Sequence, residues 1–197
     1  EEPAGATGRA ALQPLMLRFG FDAVDRDGVL AFVMRDGAVD GDLDPDRLAL
    51  VKEIDGTLEE SRAAEAEMAG RVRVRFSLNG GDFETVAEEA ILPRVDSDTA
   101  AGQELRLAML RGEGRQVAER WLAEASVARD TVRFALPPSL AMRGPGDVVR
   151  IGAAPELWRI DRVERGASTI AEAVRIDAES YRPVDVADEV ARVAEFV

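Results

Sequence analysis

The sequence predicts an α+β domain rich in strand, with an antiparallel sheet or small barrel and two or three packing helices. Three stretches carry that prediction. "RVRVRFSL" (71–78) alternates without a fault: Val72, Val74, Phe76 and Leu78 share one face, and Arg71, Arg73, Arg75 and Ser77 the other. "GRQVAERWLAEASV" (114–127) stripes Val117, Ala118, Trp121, Leu122 and Ala125 along one side of a helix. From 147 to 176, three β-branched runs follow one another at the spacing of a small antiparallel sheet.

In chain order, residues 1–7 are Gly/Ala/Glu/Pro-rich and expected to fray. "GRAALQPLMLRFG" places Leu12, Leu15, Met16 and Phe19 at helical spacing, with Pro14 expected in the first turn. "FDAVDRDGVLAFVM" reads as a β-hairpin with Gly28 at a left-handed turn position. "DGDLDPDR" superficially resembles a calcium loop through Asp40, Asp42, Asp44 and Asp46. Pro45 stands where the turn glycine is needed and Val51 where the bidentate Glu is needed, so a solvated turn is the reading.

"LEESRAAEAEMAG" (58–70) has helical composition with Gly70 as its end. "NGGD" (79–82) is a turn after the arginine strand, and "ILPRVDSDTAAG" (91–102) a polar connection. Trp121 belongs to its helix's core stripe. "TVRFAL" is a strand with Val132, Phe134 and Leu136 inward, closed by "LPP". "DVVRI" (147–151), "LWRIDRV" (157–163) and "STIAEAVRI" (168–176) complete the sheet. Glu172 interrupts the last alternation; a bulge, an edge position or a polar interior would each account for it.

Composition narrows the chemistry. Cys and His are both absent, which excludes thiol nucleophiles, disulfides, the usual zinc ligand sets and Ser-His-Asp triads. With 38 acidic against 25 basic residues, the formal charge of −13 argues against broad nucleic-acid binding. An acidic wall would instead let DNA pass without holding it. The arginine face of 71–75 is expected to pair with neighbouring carboxylates rather than phosphate. No apolar run reaches the ~18 residues of a membrane span.

No carboxylate pair is singled out for acid–base work. Glu88 and Glu89 are adjacent and point apart, and Asp96 and Asp98 have no apolar neighbour to raise a pKa. "GEGR" (112–115) lacks the preceding strand and spacing of a phosphate loop, and Ser126 and Ser139 have no histidine partner. Asp147, in "GPGDVVRI", reads as a turn residue that caps backbone N–H groups and sets the register of the strand after it. No catalytic, cofactor-binding or metal-ligating residue is assigned, and no cofactor is expected. Without an initial Met, and ending on "ARVAEFV", the chain reads as a segment of a longer polypeptide.

The C-terminal half carries a more specific signal. "ERWLAEASVARDTVRFALPPSLAMRGPGDVVRI" followed by "LWRIDRVERGASTIAEAVRIDAESYRP" resembles the baseplate tail-hub domain of phage tail proteins. Within that family it looks closest to the large baseplate protein of gene transfer agents, the phage-like particles of alphaproteobacteria. "SRAAEAEMAGRVRVRFS" and "FGFDAVDRDGVLAFVMR" resemble earlier parts of the same domain. One departure lies at "RFSLNGGDF", where Phe76 and Phe83 stand in for the Tyr common after that strand.

The resemblance implies a structural part of a virion tail tip, assembled in the bacterial cytoplasm. It would be a homotrimeric ring that contacts neighbouring tail and baseplate proteins, links the tail tube to host-contacting parts and lets DNA through without specific binding. No membrane insertion and no enzymatic activity of this segment is implied, although a hydrolase region elsewhere in such a polypeptide is compatible. The expected organisation is a flexible 1–7, a domain over 8–184 divisible into 8–70 and 71–184, and the start of a connection over 185–197. The alternatives are a carboxylate-based cell-wall glycan hydrolase and a carbohydrate-binding module with Trp158 as its platform.

Overall fold

The computed structural model describes residues 8–26, 28–64, 68–80, 82–92 and 99–182. The expectations for 1–7 and 185–197 lie outside the described residues. Two compact units are present: described residues 8–64 and 124–182 form the first, and 68–123 the second.

The first unit opens with helix α1 (Gly8–Phe19) and the antiparallel hairpin β1 (Phe21–Arg26) and β2 (Val29–Met34). Pro14 sits inside α1 rather than in its first turn. Its ring blocks one bond of the ladder, and α1 buries none of its residues fully. Gly28 takes φ +79° at the hairpin turn, and its N–H donates to Asp25 Oδ1 at 2.8 Å.

A six-stranded sheet, curled into a half-barrel, makes the body of this unit, in the order β3-β9-β10-β11-β8-β4. Its strands are β3 (Gly41–Leu43), β4 (Leu58–Arg62), β8 (Asp130–Leu136), β9 (Val148–Ile151), β10 (Leu157–Arg165) and β11 (Thr169–Ile176). Every pairing is antiparallel except β3 with β9. Leu43, Val132, Phe134, Val149, Trp158 and Ile160 bury together as its core. Each such side chain contributes roughly 1.5–3 kcal/mol relative to exposure.

The helix expected over 58–70 is not formed. Leu58–Arg62 is instead an edge strand, registered Leu58 to Phe134 and Arg62 to Asp130; residues 65–67 lie outside the described set. Helical composition is a weak prior, and the ladder bonds that β8 offers override it. Glu172, on a central strand, lies where β10 bulges between Ile160 and Arg162, and its carboxylate meets Arg133 Nε at 3.2 Å. Pro137 caps the 3-10 turn Pro138–Leu140 that ends β8, as "LPP" predicts.

The second unit is a three-stranded sheet, β6-β5-β7, with the larger part of helix α2 (Arg111–Val127). Its strands are β5 (Arg71–Leu78), β6 (Thr85–Ile91) and β7 (Ala100–Met109). β6 and β7 are not among the expected strands: β6 does not alternate cleanly in apolar character, and in β7 only "ELRLAM" alternates, after a Gly/Ala-rich start. The polar connection expected over 91–102 is correspondingly shorter, since Ile91 ends β6 and Ala100 begins β7; 93–98 lie outside the described residues. Val72, Val74, Phe76, Leu105, Met109, Val117, Ala118 and Leu122 are buried. Trp121 is half-buried. Gly114, in the "GEGR" stretch, lies inside α2 where any Cβ would overlap the Phe76 ring.

Candidate functional site: the Asp147 turn and its charged anchors

Asp147 stands as a buried charged residue, 7% exposed, among the described core. Its local role is the one the turn sequence implies. Pro145 presets φ, Gly146 takes φ +90°, and Asp147 Oδ2 accepts from the Gly144 N–H at 3.1 Å. The turn then joins β10, since the Gly146 N–H donates to Ile160 O at 2.8 Å and the Ile160 N–H to Asp147 O at 2.9 Å.

What the sequence does not disclose is the set of long-range partners. Arg26, at the hairpin tip, donates from Nη2 to Asp147 Oδ1 at 2.6 Å and to Pro145 O at 3.1 Å. Arg143 Nη1 stands 3.8 Å from Asp147 Oδ2 and donates from Nη2 to Asp40 O at 2.8 Å. Val33 of β2 packs where a Cβ on Gly146 would reach, at 3.4 Å. Asp147 is therefore a clasp between hairpin and sheet, with its charge neutralised by arginine.

A second cluster grips the other end of the hairpin. Arg35 forms a bidentate fork to Asp22, with Nε donating to Oδ2 at 2.8 Å and Nη2 to Oδ1 at 2.6 Å. Its Nη1 donates to Glu124 Oε2 at 2.6 Å, and Arg159 Nη1 lies 3.8 Å from Asp22 Oδ2. Burial pushes the Asp22 carboxyl up, but the hydrogen bonds and charge of Arg35, with Arg159, outweigh it and hold Asp22 below the ordinary Asp value. Burial also opposes the Arg35 charge, and Asp22 and Glu124 more than offset it. Burial and the nearby Glu124 push the Tyr181 phenol up to about 12.

The other residues considered from sequence take structural places. Asp40 Oδ2 accepts from the Val148 N–H at 2.8 Å, Asp42 pairs with Arg150 at 3.1 Å, and Asp44 accepts from the Asp46 N–H at 3.0 Å. The "DGDLDPDR" stretch is therefore not the solvated turn expected: Gly41–Leu43 is strand β3 itself, paired in parallel with β9 and burying Leu43, and Pro45–Arg47 is a 3-10 turn. Glu88 and Glu89 do point apart: Glu88 meets Arg111 at 3.0 Å and Arg115 at 3.6 Å, and Glu89 meets Arg73 at 3.4 Å. Asp96 and Asp98 lie outside the described residues. Trp158 is 8% exposed within the core, and its edge lines a cleft of about 550 Å³ with Asp130, Arg62 and Arg175. Asp130 is held there by Arg175 at 3.0 Å and Arg62 at 3.2 Å.

Among the described residues, this β-rich α+β fold uses its buried charges to clasp elements together, Asp147 to the hairpin through Arg26 and Asp22 to Arg35. The family model described as "Putative phage tail protein" matches residues 7–163, and the chain belongs to that phage tail family. Among solved structures, a chain in the virion of the native gene transfer agent (GTA) particle is 50% identical, with a TM-score of 0.85. The match covers 92% of this chain and 42% of that one.

The tail protein from Neisseria meningitidis MC58 is 11% identical with a TM-score of 0.57, over 93% of this chain and 60% of its own. The 43 kDa tail protein of prophage MuSo2 from Shewanella oneidensis is 10% identical with a TM-score of 0.55, over 90% and 57%. These last two share the fold. The present chain spans 42% of the gene transfer agent chain and 57% to 60% of the other two. No curated protein matches it.

Proposed function

We propose that this domain is a baseplate hub of a phage-like tail tip, a non-enzymatic part of a gene transfer agent particle. It forms a homotrimeric ring around the axial channel, contacts neighbouring tail and baseplate proteins, and connects the tube to host-contacting parts. DNA passes through without a specific site. The carrying observation is the 50% identity, over 92% of this chain, to a chain in a gene transfer agent virion.

The charge architecture supports an assembly role over the glycan hydrolase. A glycosidase acid needs a carboxyl raised towards neutrality. Arg35 and Arg159 hold the Asp22 carboxyl below the ordinary Asp value, the opposite of what such an acid needs. Buried Asp147 is engaged by Arg26 at 2.6 Å and by the Gly144 N–H at 3.1 Å, partners that fasten the hairpin to the sheet. A sugar platform at Trp158 would need an open ring face, and that ring is in the core. Zymography on peptidoglycan tests this directly. We expect no clearing by this domain; clearing abolished by one Asp or Glu substitution would replace the hub reading with a hydrolase.

A further inference from the structure

The three-stranded sheet has one face covered and one bare. Val72, Val74 and Phe76 point into the core, while Arg71, Arg73 and Arg75 stand exposed on the middle strand, about 7 Å apart along it. Glu89 and Ile91 of β6 flank them, and Glu104 and Arg106 of β7 are exposed on the other side. Arg73 pairs with Glu89, whereas no described carboxylate lies within 4 Å of Arg71, Arg75 or Arg106. In a chain of net charge −13, the described residues of this face make a cationic island of four arginines against two glutamates.

We infer that this sheet face docks the acidic 42–60 segment of a second copy of the chain. That segment carries seven carboxylates against Arg47 and Lys52, and Asp44, Asp46, Glu53 and Asp55 are exposed on it. The inference rests on the ring reading, which needs two different surfaces of one chain to meet head to tail. Complementary charge fixes such a contact's register and rejects wrong partners. Each surface also offers an apolar residue for the centre of a contact, Ile91 at 56% exposure and Leu50 at 76%. DNA fits the face less well, because Glu89 and Glu104 interrupt the arginines and would face phosphate.

The test uses the full polypeptide and measures its mass distribution in solution, with thermal unfolding of each variant as a folding control. Arg71→Glu with Arg75→Glu, and separately Glu53→Arg with Asp55→Arg, should each weaken trimer formation by at least about tenfold. Combining all four substitutions in one chain should restore it, which a merely misfolded variant would not do. Raised salt should weaken the wild-type trimer. If both variants trimerise like wild type, the ring stands and this surface assignment falls. A wild type that is monomeric at every concentration overturns the ring reading itself, and this inference with it. If wild type retains a DNA duplex that the arginine variant loses, with trimers unchanged, the face contacts nucleic acid and the inference is wrong.

Discussion

At the scale of single residues, the stabilising charges are those whose partners lie far away in sequence. Asp147→Ala removes both the Gly144 cap and the Arg26 pair, and we expect a loss of about 1–3 kcal/mol in urea unfolding. Asp147→Asn keeps an oxygen for the Gly144 N–H and should lose less. The capping role of Asp147 was legible in "GPGD", since turn chemistry is local. Its clasp on Arg26 was not, because 121 positions separate the two and no periodicity links them.

Titration gives two further expectations at this scale. Asp22 is held below its unfolded value, so its contribution is full above about pH 4 and fades as pH falls through the folded pKa. The stability gap between wild type and Asp22→Asn should therefore narrow in acid unfolding. Tyr181 runs the opposite way. Its folded pKa of about 12 exceeds the ordinary 10, so the unfolded chain loses that proton first. Stability relative to Tyr181→Phe should then fall between about pH 10 and pH 12.

At the scale of elements, the strongest patterns were the most readable. β5 and β8 alternate because each has a buried and a more exposed face, and α2 shows its stripe because one side packs on β5. β4 was hidden, since "LEESR" is an edge strand with little to bury, and its pairing comes from β8 rather than from its own residues. Gly114 carried no readable signal either. Its reason is the Phe76 ring across the unit, and we expect Gly114→Ala to destabilise by about 1–3 kcal/mol despite the better helix former. Phe76→Leu in the same chain should recover part of that loss in thermal unfolding, whereas additive losses would show that the ring is not the constraint.

At the scale of the whole molecule, the sheet scaffold is fastened by arginine–carboxylate clasps, and acidic residues outnumber basic ones. The family was legible because "LPP", "GPGDVV" and "WRIDRVE" mark a strand end, a turn and a bulged strand that the fold requires in that order. Assembly is not legible in the same way, because subunit contacts bring together residues that no local pattern joins. Electron cryomicroscopy of intact particles, with this domain traced in the density, tests the hub directly. Three copies around the tail axis at the tip, enclosing a channel, is the result we expect. Density for this domain away from the axis, in another copy number, or absent from the particle would contradict it.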